Sequence, residues 1–208
     1  MLDLGGWFLF LGAALIIAIT PGPAIFYVAA RTLAGGRNEG LASSLGTGLG
    51  GLVHVGAGAA GVSALIMASA EAFTMLKIAG AIYLVWLGIK TIREARATPS
   101  FETMVTGARR ALREGIVVEA LNPKTAAFFL AFIPQFVDPA GAVALQFIVL
   151  GLISVVLNTA ADVIVTLLAA SARTQLISRP ALIRHIRQGS GAMICGLGVS
   201  LAVARRPT

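Results

Sequence analysis

Long apolar stretches separated by short polar connections dominate the hydropathy pattern of this chain. Six of the stretches approach or exceed the roughly 20 residues that a helix needs to cross the hydrocarbon of a bilayer. A membrane β-barrel would instead show short segments of alternating polarity. The pattern therefore predicts an all-α integral membrane protein with six transmembrane helices. We place them at about residues 5–30, 40–69, 72–92, 114–136, 142–172 and 189–204.

Prolines interrupt the first of these helices. Thr20, Pro21, Gly22 and Pro23 follow one another inside an apolar stretch, residues 4–30, that carries no charge. An interior proline removes a backbone hydrogen bond and clashes with the carbonyl one turn back. At membrane depth this damage is tolerated where protein or a water-filled cavity satisfies the freed groups. Such a break is typical of transporter substrate sites, and a kink with a packing role is the alternative.

Asn122, Pro123 and Lys124 form a similar interruption in the fourth helix. An asparagine side chain can bond a freed backbone group, and a lysine brings a positive charge into or near the bilayer. Such a charge is costly at membrane depth unless it is paired or hydrated. Lys124 therefore either takes part in a site or extends to the inner membrane surface. Glu119, five residues earlier, is a candidate partner, although that spacing is not one of helix neighbours.

The two breaks indicate an internal repeat. Helices 1–3 and 4–6 form two sets of three, and the odd number makes the second set enter the membrane in the opposite sense. Because the first helix of each set is interrupted, we predict two inverted three-helix repeats around a site near the membrane midplane. Residues 1–208 are then a single transmembrane domain, with its long polar connection at about residues 93–113.

Basic residues give the predicted orientation, because cytoplasmic connections are enriched in lysine and arginine. The connections after helices 1, 3 and 5 hold nearly all basic residues, whereas those after helices 2 and 4 carry Glu71 and Asp138. The connection at residues 93–113 is therefore predicted to be cytoplasmic and the N-terminus external. Arg205 and Arg206 then lie outside, against the rule.

A polar stripe follows the fifth helix. Ser154, Asn158, Asp162 and Thr166 are spaced by four residues, which places them along one slowly turning face. A carboxylate deep in an apolar helix must face the interior, and an intramembrane acid is a candidate for ion or proton coupling. We predict that Asp162 takes part in proton coupling and Asn158 in the substrate site. The alternative for Asp162 is a protonated acid bonded to neighbouring helices.

Composition narrows the functional classes. The chain is 12% charged, about half the ~25% typical of a soluble domain, which supports a membrane protein. The net charge of +7 would suggest nucleic acid in a soluble protein, but these basic residues lie between apolar stretches and indicate lipid headgroups. The single cysteine, Cys195, excludes an internal disulfide framework. Glycine pairs such as Gly46 and Gly50 permit close packing within the chain or in a homodimer.

Other functional classes find less support in the sequence. An enzyme would need a nucleophile with a base, or a metal triad, and we find neither; no cofactor motif is present. A metal exporter would need several converging ligands, and only Asp162, Glu119 and His54 are available. His54 itself fits a hydrogen-bonded packing residue better than a ligand. A structural membrane subunit would not need paired helix breaks.

Several short motifs, each weak alone, occur in an order and at spacings that are specific together. They are the break at residues 20–23, His54 in its glycine-rich helix, Leu76-Lys77 with Gly80, Tyr83-Leu84 and Gly88, Asn122-Pro123-Lys124, Phe128-Phe129 and Pro134-Gln135-Phe136. With these motifs the chain resembles the LysE/RhtB family of bacterial amino-acid exporters over nearly its whole length. Residues 93–113, helix 5 and the tail beyond residue 204 match the family least.

The resemblance implies a carrier of the bacterial cytoplasmic membrane that exports amino acids or close derivatives and is driven by the proton gradient. The family's proline motifs carry over to Pro21, Pro23 and Pro123. Export of another small solute is the alternative, because a fold does not fix a substrate. The residues predicted for the substrate path are Thr20, Pro21, Gly22, Pro23, Asn122, Pro123, Lys124 and Asn158.

Overall fold

The structure is a computed structural model that describes residues 4–68, 70–94, 107–172 and 180–203, and every regular element in these ranges is helical. The prediction of an all-α protein is confirmed. Most of the predicted cytoplasmic connection, together with Arg205 and Arg206, lies outside the described residues. The α-helices are α1 (Leu4–Ile19), α2 (Pro23–Ala68), α3 (Ala70–Glu94), α4 (Ala108–Ala120), α5 (Pro123–Ala127), α6 (Val143–Ser171) and α7 (Pro180–Val203).

Large apolar side chains cover the outer surface of the helices. Leu4 and Phe8 of α1 are 78% and 73% exposed, and Val156 and Leu168 of α6 are 66% and 61% exposed. Water-soluble monomers rarely expose contiguous apolar patches of such extent. The outer surface therefore suits the hydrocarbon of a bilayer.

Three of the described segments are candidate membrane spans by length and composition. α6 is long and apolar enough by itself. Two more arise if each bent pair counts as one span: α1 with Pro23–Gly61, bent by 44°, and α4 with Pro123–Phe136, bent by 40°. Both bends lie at the predicted proline breaks. The count of six crossings and the inverted repeat stay predictions.

Gly36 divides α2 into two helical parts. Its φ of 77° lies in the left-handed region, which glycine adopts without the steric cost that a Cβ atom brings. The first part completes the predicted helix 1, and the second part corresponds to the predicted helix 2. The connection between the two parts is a kink at Gly36, whose backbone is not helical.

The last helix begins earlier than its predicted start at residue 189, so that prediction is wrong. α7 starts at Pro180, and Arg184 and His185 lie in the helix. The arginines of this segment favour a loop in the sequence. Proline nevertheless suits the first position of a helix, where its missing N–H would have no partner.

The second half of the broken fourth helix is irregular. α5 continues as a π-helical turn, Phe128–Phe132, and then as a 3₁₀ turn, Ile133–Phe136. Insertions of π-helical geometry are frequent at functional sites. Here they direct Phe128 and Phe129 into the core, where both side chains are 1% exposed.

Glycines allow α2 and α4 to approach closely. A Cβ atom added to Gly46 would lie 2.2 Å from the carbonyl oxygen of Leu112, and one added to Gly50 would lie 2.5 Å from that of Ile116. These distances are far below van der Waals contact, so the close approach requires glycine. The pair serves packing within the chain, and the predicted homodimer gains no support from it.

We expect Gly46→Ala to destabilise the protein by about 1–3 kcal/mol, the usual cost of overpacking a well-packed contact. Gly56→Ala is the matched control on the same helix, because nothing lies within 4 Å of its added Cβ atom. Alanine's better helix propensity should make the control neutral or stabilising by up to about 1 kcal/mol. Denaturation in detergent micelles measures both variants, and equal stabilities would contradict the close approach of α2 and α4.

An ionic cluster joins α2 to α4 on the side of the breaks predicted to be cytoplasmic. Arg31 forms an ion pair with Glu114, whose second carboxylate oxygen lies 2.7 Å from Arg110 Nε. The Tyr27 hydroxyl donates to the carbonyl oxygen of Ala111 at 2.8 Å. These contacts hold the part of α2 that follows the first break against the part of α4 that precedes the second.

Aromatic rings pack on the opposite side of the two breaks from the ionic cluster, along α1 and along α5 with its irregular continuation to Phe136. Phe128 and Phe132 are stacked with their centroids 5.3 Å apart, and Phe10 of α1 contacts Phe136 at 5.5 Å. Phe129 contacts Phe147 of α6 at 6.2 Å. The two breaks therefore lie between an ionic cluster and an aromatic cluster.

Candidate functional site

Lys124 joins the two helix breaks. Its ammonium nitrogen Nζ donates to the carbonyl oxygens of Ile17 at 2.9 Å and Thr20 at 2.8 Å. In an unbroken helix the Ile17 carbonyl would accept from the N–H of residue 21, which is proline and has none. Lys124 therefore supplies the donor that Pro21 removes, and the negative end of the α1 dipole favours its charge.

Asn122 shapes the second break. Its side-chain oxygen Oδ1 accepts from the backbone N–H of Lys124 at 3.1 Å and so caps α5, whose first residue is Pro123. Asparagine is a preferred residue at this capping position, and proline suits the next one. The sequence Asn-Pro-Lys thus starts a new helix and turns the lysine toward α1.

Gly22 leaves the space through which Lys124 reaches α1. A Cβ atom added to Gly22 would lie 3.2 Å from both Cδ and Cε of Lys124. That distance is shorter than an ordinary carbon–carbon contact of about 3.5–4.0 Å. A side chain at this position would displace the lysine, so Gly22 helps to position it.

The structure places Lys124 in the interior of the protein, where its side chain is 3% exposed. It does not extend to a surface, which was the alternative open in the sequence. Among the described residues, no carboxylate oxygen lies within ion-pair distance of its ammonium nitrogen. The positive charge is held by backbone carbonyls and by acids at longer range.

Glu119 is the nearest buried acid along the chain, with 4% of its side chain exposed. Oε2 accepts from Asn122 Nδ2 at 2.8 Å, and Oε1 accepts from the Thr125 hydroxyl at 2.7 Å. Its backbone carbonyl lies 2.8 Å from Nε2 of His54, which must donate because a carbonyl only accepts. His54 is thus a hydrogen-bonded residue of the core, as predicted.

The polar stripe of α6 faces the glycine-rich part of α2. Asp162 is 4% exposed, and its Oδ2 accepts from the Thr47 hydroxyl at 2.6 Å. One turn further, the hydroxyls of Thr166 and Ser44 lie 3.1 Å apart. The acid therefore faces the interior of the protein rather than the lipid side of α6.

A cavity of about 10 Å³ lies between these elements, close to the size that holds one water molecule. Four of the residues predicted for the site line it; the other five, residues 20–23 and Pro123, form the two breaks beside it. Lys124 and Asp162 bring a basic and an acidic group to one cavity. The predicted residues that line the cavity are Asn122, Lys124, Asn158 and Asp162.

Four polar residues that line the cavity were not in the predicted set: Thr47, Glu119, Thr125 and Thr159. Glu119 lies three residues before Asn122, a spacing at which helical side chains are neighbours. That spacing is the signal that could have identified it. Thr47 is adjacent to Asp162 only through the packing of α2 on α6, which leaves no trace in local sequence.

Comparisons with known proteins identify the family of this chain and several relatives. The family model for the LysE type translocator matches residues 15–205. An uncharacterized membrane protein of Vibrio cholerae serotype O1 is 31% identical over 98% of this chain and 100% of its own length. A homoserine/homoserine lactone efflux protein of Salmonella typhimurium is 31% identical over 96% and 97%, and a threonine efflux protein of Escherichia coli is 26% identical over 92% and 94%. No solved structure matches the chain.

The apolar outer surface, together with the match to a translocator family and to efflux proteins, makes this chain a membrane transporter rather than an enzyme. The family model covers nearly the whole chain, so the chain belongs to the LysE type translocators. The family resemblance of the sequence motifs is thereby confirmed.

Proposed function

We propose that this chain exports amino acids or close derivatives across the bacterial cytoplasmic membrane, in exchange for protons. One observation carries the proposal: an ammonium group, on Lys124, and a carboxylate, on Asp162, line the same buried cavity between two helix breaks. An amino acid carries the two complementary charges. A zwitterion can therefore be bound at both ends, whereas a solute with one charge could bind to only one of the two groups.

The substrate carboxylate is expected to bind at Lys124 and the first turn of α2. Two of the three ammonium N–H bonds of Lys124 are directed to the carbonyls of Ile17 and Thr20, which leaves the third for a ligand. Ala24 and Ile25 line the cavity in the first turn of α2. The N–H groups of a first turn have no intrahelical partner and favour an anion.

The substrate ammonium is expected to bind at Asp162. One carboxylate oxygen accepts from Thr47, and the other is available to a ligand in the cavity. Asn158 lies one turn away on the same face, and its Nδ2 donates to the Ser154 carbonyl at 3.0 Å. That contact leaves the side-chain oxygen of Asn158 as a second acceptor for the ligand.

Coupling to protons follows if the proton and the substrate ammonium bind to the same carboxylate, that of Asp162. A carboxylate deep in the membrane needs a positive charge or a proton to offset the cost of its burial. A proton that enters from outside displaces the substrate ammonium from Asp162, and its release to the cytoplasm restores the site for the next substrate. Each substrate that leaves is then exchanged for a proton.

The small cavity fits an occluded step of this cycle. A cavity of about 10 Å³ does not hold an amino acid. Substrate entry therefore requires the arms of the broken helices to separate, first on one side of the membrane and then on the other. Two bends of 44° and 40°, one in each half of the chain, supply natural hinges for such alternating access.

The relatives support an organic substrate. Two of them are named for efflux of homoserine or its lactone and of threonine. The alternative of a metal exporter has less support, since no group of three His, Cys, Asp or Glu side chains that could hold a metal ion occurs among the described residues. A structural subunit would gain nothing from two buried opposite charges at helix breaks.

We further propose six crossings with an external N-terminus, which cysteine labelling in intact bacteria can test. In a Cys195→Ala background, Ala140→Cys should react with a membrane-impermeant maleimide, because residue 140 lies in an exposed turn between α5 and α6. Arg109→Cys should react only after the cells are opened. The reverse labelling would show the orientation to be inverted.

Efflux from loaded vesicles tests the proposed function. Vesicles with the purified chain are loaded with one labelled amino acid from a panel that includes L-homoserine, L-threonine and L-leucine, the same amino acid is present outside at equal concentration, and a pH gradient is imposed. We expect at least one amino acid to leave against its own gradient, and only while the pH gradient persists. If no member of the panel leaves faster than from protein-free vesicles, the proposal is wrong.

A further inference from the structure

We propose that Glu119 fixes the charge of the site: it remains ionised and balances Lys124, so that Asp162 carries the one charge that a proton or a substrate ammonium must neutralise. This inference rests on the proposed function for its biological meaning. It assigns a role to a buried acid that the binding scheme above does not use. Glu119 is a positioning residue in this scheme, since it acts through Lys124 and Asp162.

The hydrogen bonds of Glu119 suit its ionised form. Each carboxylate oxygen accepts one bond, from Asn122 Nδ2 at 2.8 Å and from the Thr125 hydroxyl at 2.7 Å. An ionised carboxylate is acceptor-only, and hydrogen bonds to the charged form favour that form. Both donors come from the second break, so the carboxylate is held in place by the element that carries Lys124.

Asp162 has a different environment. Its carboxylate receives one hydrogen bond, from Thr47 to Oδ2 at 2.6 Å, and it lines the cavity. It therefore has fewer donors than Glu119 to stabilise a charge, and it is the acid that a ligand in the cavity can reach with an unused oxygen. Of the two acids, Asp162 is the one suited to gain and lose a proton.

The three charged groups interact electrostatically with one another. Glu119 and Asp162 both act on Lys124, and Asp162 is influenced both by Glu119 and by the opposite charge of Lys124. When Glu119 and Lys124 balance, the site has a net charge of about −1 whenever Asp162 is ionised. A single proton then restores neutrality, and a substrate ammonium competes with that proton for the same carboxylate, which is the condition for a one-for-one exchange.

Within the part of the chain that the structure describes, few groups face Asp162 from the neighbouring elements. α4 contributes Glu119 and α5 contributes Lys124, while α2 contributes the Thr47 hydroxyl and, beside Glu119, the His54 ring. α1, Leu4–Ile19, contains no ionisable side chain. Replacing Glu119 with a neutral residue therefore leaves Lys124 as the dominant charge acting on Asp162, and a positive neighbour favours the ionised carboxylate.

Infrared titration without any amino acid present tests this inference. The protein is placed in lipid vesicles, the pH is varied, and the C=O band of a protonated carboxyl group is followed. The band that disappears in Asp162→Asn reports Asp162. We expect Glu119→Gln to move the midpoint of this band to lower pH by about 1 unit or more, the usual effect of removing a close like charge. Glu114→Gln, the same change on α4 at an acid paired with arginines, should leave the midpoint in place.

A second pair of variants covers the case in which Glu119→Gln does not fold because Lys124 loses its counter-charge. Lys124→Gln is compared with the Lys124→Gln/Glu119→Gln double variant, and the same downward shift is expected between them. An unchanged midpoint in both comparisons overturns the inference. So does a titrating band that disappears in Glu119→Gln and survives in Asp162→Asn. Because the sample holds no amino acid, either result is separate from the outcome of the efflux assay.

Discussion

Asp162→Asn should reduce uphill, pH-driven efflux to the level of protein-free vesicles while exchange at equal pH persists. Asparagine preserves the shape of the side chain and its bond to Thr47, but it cannot be ionised at any pH. A carrier that must bind and release a proton at this position can no longer be driven by the pH gradient. Exchange should need higher substrate concentrations, because a charged hydrogen bond contributes about 1.5–3 kcal/mol and its loss weakens binding by roughly 10–150-fold.

Asp138→Asn is the matched control for this variant. Asp138 lies in the turn between α5 and α6, where the N–H of Ala140 donates to it at 2.9 Å and holds the pKa of its carboxyl below the usual value. The same chemical change there removes an ionised acid outside the broken helices, and efflux should stay at the wild-type rate. Uphill efflux that survives in Asp162→Asn would instead assign Asp162 to packing and hydrogen bonding alone.

Healing the first break should abolish export without preventing insertion. In the Pro21→Ala/Pro23→Ala variant both residues regain a backbone N–H, and each replacement favours continuous helix by about 3 kcal/mol. The Ile17 carbonyl would then accept from residue 21, so Lys124 would lose one of its two partners. A straightened helix also removes the first turn of α2, with Ala24 and Ile25, from its position at the cavity.

Pro139→Ala is the control for the proline variant, because Pro139 lies in an exposed turn and interrupts no helix. The amount of each protein in the membrane and its solubility in mild detergent measure insertion and folding, and the vesicle assay measures export. We expect normal insertion of both variants and export only by Pro139→Ala. Export at the wild-type rate by the double variant would reduce the break to a packing kink.

The local features of the fold could be predicted from sequence because their causes are local. Pro21, Pro23 and Pro123 lack the N–H that a helix interior needs, so both breaks follow from residue type. The spacing of the stripe on α6 likewise places Asp162 on an interior face, which the structure confirms through its bond to Thr47. The early start of α7 was missed because proline at a helix start and proline in a loop look alike in sequence.

The assembly of the site could not be predicted, because it depends on contacts between distant parts of the chain. Lys124 bonds to carbonyls of residues 107 and 104 positions away, and nothing near Lys124 in the sequence identifies them. Every residue has a backbone carbonyl, so no pattern of residue types in the sequence identifies the two carbonyls to which Lys124 donates. Glu119 had a local signal in its spacing to Asn122, but its distance from Lys124 along the helix argued against a direct ion pair, and the structure has none.

Proton movement driven by an amino-acid gradient tests the central claim most directly. Vesicles that contain the chain and a trapped pH indicator are loaded with L-homoserine or L-threonine, whichever the panel shows to be exported, at equal pH on both sides. We predict that the lumen becomes acidic as the amino acid leaves, and that Asp162→Asn vesicles show no such change. Amino acid that leaves at the wild-type rate while the internal pH stays constant would contradict the account.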